Sequence, residues 1–99
     1  MTDGTDEDSS TLEEIELLRR TPVETILGTH LFHLIQLAAV HLSATPPQLD
    51  QARLSIDVAA AMIQAGGERL GEHAGLYRSA LAEVQQVFVR ASTPPPAAT

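Results

Sequence analysis

Four histidines and one mid-chain aspartate are the residues of this 99-residue chain whose types and spacing invite chemistry. His30 and His33 stand one helical turn apart, so both imidazoles could reach a single ion. His41 lies roughly 12 Å further along the same helix at 1.5 Å per residue, beyond reach of that ion. The chain has no cysteine, and a structural metal site needs about four donors, so further ligands would have to come from another helix or subunit. The histidines therefore read as packing residues on an interface, with metal binding through His30 and His33 as the competing reading. Asp57 sits between Ile56 and Val58, with Arg53 one turn earlier. That spacing points to an exposed ion pair of small energetic weight. A carboxylate without a convergent acid, nucleophile or cofactor pocket is no catalytic site. No enzyme activity, cofactor or catalytic residue is expected. Gly28 lacks the strand-turn-helix context of a phosphate loop and reads instead as a point of close approach for a second helix.

The elements that would carry these residues are helical. Met1 to Ser10 has no bulky apolar residue after the first methionine and reads as a disordered acidic tail, with none of the features of a signal peptide. Thr11 with Glu14, and Thr21 with Glu24, have the spacing of capping boxes. A short leading helix is expected from Thr11 to Arg20, with Glu16 and Arg20 paired across one turn. A second helix should run from Pro22 to Ser43, since proline suits the first helical position. Thr45-Pro46-Pro47-Gln48 repeats the cap-and-proline pattern before a third helix from Leu49 to about Ala65. Gly66-Gly67 supplies a stop. A fourth helix begins near Gly71 or Glu72 and runs to Ser92, where Pro94-Pro95-Pro96 leads into a disordered tail over 93–99. No stretch alternates with the period of a strand.

Apolar spacing assigns faces to these helices. Leu27, Leu31, Leu34, Ile35, Ala38, Ala39 and Leu42 share one broad face of the second helix. Leu49, Ala52, Ile56, Ala59 and Ile63 form a seam on the third. Tyr77, Ala80, Leu81, Val84, Val87, Phe88 and Ala91 line one side of the fourth. The second helix has more apolar surface than this pairing uses. Val23, Ile26, Leu37 and Val40, beside His30, His33 and His41, make a second face where a surface helix would carry charge. With only three aromatics, the core is aliphatic and modest, and self-association through that second face is expected.

Charge narrows the partners. The net charge is −7, and most of it lies early: eight acids from Asp3 to Glu24 face only Arg19 and Arg20, whereas beyond Glu24 five acids meet four arginines. No basic patch exists to release counterions, so nucleic-acid binding is not expected. The second helix is long enough to span a membrane, but Glu24, Gln36 and three histidines within it argue for a buried helix of a soluble cytoplasmic protein.

The segments ILGTHLFHLIQLAAVHLSA and LDQARLSIDVAAAMIQAGGERLGEHAGLYRSALAEVQQVFVRAS resemble a small bacterial family known as domain of unknown function eighteen forty-four. The likeness spans Val23 to Ser92 and is carried by Ala39 to Leu42, Ala52 to Asp57 and Leu70 to Val89. Leu42-Ser43 departs from the Leu-Gly with which the second helix ends in such sequences. The resemblance implies a compact helical domain and brings no activity, ligand or catalytic residue. The expectation is an all-α chain: a small antiparallel bundle of three main helices over 11–92 with a short leading helix. Its expected role is a non-enzymatic interaction and oligomerisation module whose partner is itself, or another protein. A small-ligand- or metal-binding bundle is the alternative.

Overall fold

The computed structural model describes residues 3–93, and the side chains of residues 10–93. Met1, Thr2 and, apart from Thr93, the tail expected over 93–99 lie outside these. The described chain is all-α. It comprises α1 (Asp3–Arg20), α2 (Val23–Leu42), α3 (Leu49–Gly66), a short 3-10 turn (Gly67–Leu70) and α4 (Ala74–Ser92). Helices α2, α3 and α4 pack against one another and against the 3-10 turn, whereas among the described residues α1 contacts none of them.

The core follows most of the predicted stripes, with Val87 of α4 left exposed and Leu70 and Ala74 added. Leu31, Ile35, Ala38 and Leu42 of α2 meet Ala52, Ile56, Ala59 and Ile63 of α3 and Ala74, Tyr77, Leu81 and Val84 of α4, closed at one end by Leu70. Leu31 is wholly buried and is the largest side chain to be so. Leu27, Leu34, Ala80, Phe88 and Ala91 are half-buried at the margin of the core, while Ala39 is exposed. Each run follows steps of three and four, as ridge-into-groove packing requires.

The helix ends depart from expectation in instructive ways. The leading helix starts at Asp3, so residues 3–10, expected as a disordered acidic tail, are helical and Thr11 falls inside the helix instead of capping it. Glu16 pairs with Arg19 at 3.3 Å, not with Arg20. Thr21 does not cap α2: its hydroxyl donates to the Leu17 carbonyl at 2.7 Å and its amide to the same oxygen at 3.0 Å. An orphan carbonyl at the end of α1 has recruited the threonine. The connection from α2 to α3 is tied by the Gln48 amide, which donates to the His41 carbonyl at 2.9 Å, and neither α2 nor α3 has a side-chain cap at its amino end.

After α3, Gly67 takes φ +54° and Gly71 φ +95°, backbone that other residues enter only with strain. Between them Arg78 of α4 holds Glu68 at 3.0 Å, and Arg69 donates to the Ala65 carbonyl at 2.9 Å, satisfying the end of α3. These two glycines delay α4 to Ala74, later than the expected start at Gly71 or Glu72, and bring residues 70–73 across the amino half of α2.

Because α1 touches no other helix among the described residues, removing residues 1–20 is expected to leave the melting temperature of the remainder within a few degrees of the whole chain. Leu31→Ala should in contrast cost about 3–5 kcal/mol, the range for a fully buried leucine. Thermal and urea unfolding followed by circular dichroism check both.

Candidate functional site: a cleft and a seam on α2

Two surfaces of α2 hold the residues singled out in the sequence. The first is the second apolar face. Val23 (63 % exposed), Leu37 (45 %) and Val40 (62 %) point to solvent, Ile26 is half-buried, and His30 and His33 are exposed. His41 is half-buried, with its Nδ1 out of contact with water and without a hydrogen-bond partner. Positions 23, 26, 30, 33, 37 and 40 follow steps of three, four, three, four and three, the spacing of a coiled-coil seam. The seam contains no Asp, Glu, Lys or Arg.

The seam is not the only uncovered apolar surface. Leu54 and Val58 of α3, and Leu76 and Val89 of α4, are also exposed, as are Leu12, Leu17 and Leu18 of α1. The expected single-seam character of α3 and α4 was therefore too spare. Asp57 is exposed and lies 3.9 Å from Arg53, a surface ion pair.

The second surface was not foreseen. A cleft of about 720 Å3 opens between the amino half of α2 and residues 70–77, within the ~300–1,000 Å3 typical of small-molecule sites. Gly28, Phe32 and His33 of α2 form one wall, with Glu24 at its end; Gly71, Glu72 and His73 form the other. Tyr77 rises from α4 to the floor, 7 % exposed, and its hydroxyl lies against Gly28 so closely that a Cβ there would overlap it. Gly28 thus does permit close approach, as expected, but what approaches is a tyrosine side chain. The ring of His73 stands edge-on to Tyr77 with centroids 6.4 Å apart.

Of the sequence-predicted residues, only His33 enters the cleft; His30 and His41 do not line it. Among the described residues no three His, Asp or Glu side chains converge as a metal site would require. Nothing in the sequence brings Glu24, Glu72 and His73 together, since they meet only through the two glycine turns after α3. By length and composition α2 is apolar enough to cross a membrane, a test that core helices of soluble proteins also pass. Comparison with family models, with curated proteins and with solved structures found no match to the chain.

The contact between Gly28 and Tyr77 yields a double-mutant prediction. Gly28→Ala should destabilise the protein by about 1–3 kcal/mol through overpacking. Much of that loss should vanish when the same change is made in Tyr77→Phe, because the two sites share one contact. Urea titrations of the four proteins measure the coupling.

Proposed function

We propose that this chain is a non-enzymatic interaction and oligomerisation module of the cytoplasm, in which α2, α3 and α4 form a small antiparallel bundle. It associates with a second copy of itself through the outer seam of α2. The observation that carries this reading is the exposure of Val23, Leu37 and Val40 on a seam with coiled-coil spacing. Leaving such side chains in water forfeits roughly 1.5–3 kcal/mol for each one that burial would cover, and a contiguous apolar patch marks an interaction surface.

Charge supports a second copy as the occupant. Two chains of net charge −7 repel over most of their surfaces, and least along a face with no formal charge. A seam related to its own mate by a two-fold axis presents the same apolar positions from both sides. The leading helix, whose own apolar residues are exposed, does not cover the seam. The resemblance to the small bacterial family fits a compact helical unit and adds no activity. For the competing metal reading, His30 and His33 lack a third converging donor among the described residues.

Sedimentation should give a dimer or higher oligomer at micromolar concentration. Its apparent stability should rise by about 1.4 kcal/mol per tenfold increase in protein, as mass action requires of a dimer. Leu37→Glu, which places a charge in the middle of the contact, should yield a folded monomer; because Leu37 is 45 % exposed, the core does not depend on it. A wild-type monomer at high micromolar concentration, with Leu37→Glu equally stable, overturns the reading.

A further inference from the structure

We propose that the cleft between α2 and residues 70–77 is a binding site for a small organic amine, held as its alkylammonium ion. Every lining residue belongs to one chain, so this inference does not rest on self-association.

The charge of the site selects the ligand class. Glu24 and Glu72 line the cleft and no arginine does; neither carboxylate is in an ion pair. Both stand near the amino ends of helices, where the dipole contributes about half a positive charge. A full negative charge on each carboxylate outweighs that half charge, so the cleft remains negative and repels anions. A divalent metal would want several converging oxygen or nitrogen donors, and no group of three exists among the described residues. An ammonium group needs less: one or two carboxylates and a neutral acceptor.

Tyr77 supplies the acceptor and is the independent sign that a ligand belongs here. Its side chain is more than nine-tenths buried, yet its hydroxyl makes no hydrogen bond to any described residue and faces Gly28 in the wall of the cleft. The hydroxyl is not among the buried polar atoms left without a partner, so it opens on the cleft, where solvent or a ligand can satisfy it. Here its oxygen is free to accept from an ammonium N–H. The alkyl portion of the ligand lies along the exposed ring of Phe32, where a cation also gains from the aromatic face. The glycine at position 28 is what leaves room for this arrangement, since any side chain there would collide with the hydroxyl.

The test is a titration of the full-length isotope-labelled protein with 1,4-diaminobutane at constant ionic strength, followed by amide shifts, with sodium phosphate and magnesium chloride in parallel. Saturable shifts of Gly28, Gly71 and Tyr77 with the diamine alone are expected. Glu72→Gln, at an exposed position that leaves the core intact, should weaken binding roughly tenfold, as loss of a charge-assisted hydrogen bond does. Tyr77→Phe should weaken it severalfold while the helical content stays unchanged. The proposal fails if the diamine gives no saturable shift at these residues, if phosphate or magnesium binds there as well as the diamine, or if Glu72→Gln binds as tightly as the wild type.

Discussion

The burial of a single stripe of α2 governs this molecule. Leu31, Ile35, Ala38 and Leu42 must be covered by α3 and α4 together, and almost all that these helices bring to the contact is aliphatic. Ala38, Ala52 and Ala59 are fully buried, so little side-chain volume separates the helices at those points. A core built this way is narrow. Only Tyr77 contributes a large aromatic to it, and Phe88 stays at its margin. Once the inner stripe of α2 is covered, the outer one stays exposed, as do Leu54 and Val58 of α3 and Leu76 and Val89 of α4.

Much of this was legible in the sequence because helical burial is written in a period of three to four residues. The three stripes of α2, α3 and α4 are found nearly as spacing predicts them, with Ser55, Leu70 and Ala74 as buried additions. Helix ends were less legible. A capping pattern such as Thr21 to Glu24 names a residue able to satisfy an orphan group without saying which helix will claim it, and here α1 does. The pairing of Glu16 with Arg19 rather than Arg20 is a choice between neighbours on the same face that differ by tenths of a kcal/mol. The cleft was not legible at all. It depends on Tyr77 reaching Gly28, a contact between positions far apart in sequence, and on two positive-φ glycines that set where residues 70–73 cross α2.

The two outer surfaces of α2 differ in chemistry despite lying side by side. The seam is apolar with histidines and carries no formal charge, whereas the cleft is polar and holds Glu24 and Glu72. His33 stands on the border, a member of the seam by its spacing and of the cleft by its contacts. One helix thus presents an inner face for folding, an uncharged outer seam, and a flank that borders two carboxylates.

The position of Tyr77 has a consequence for optical spectroscopy. It is the only tyrosine, and the chain contains no tryptophan, so emission excited at wavelengths that phenylalanine does not absorb arises from the ring on the floor of the cleft. Changes in that emission report on one location, the junction of α4 with Gly28, and are blind to the seam and to α1. The molecule carries a built-in local probe where most proteins give a signal averaged over many rings.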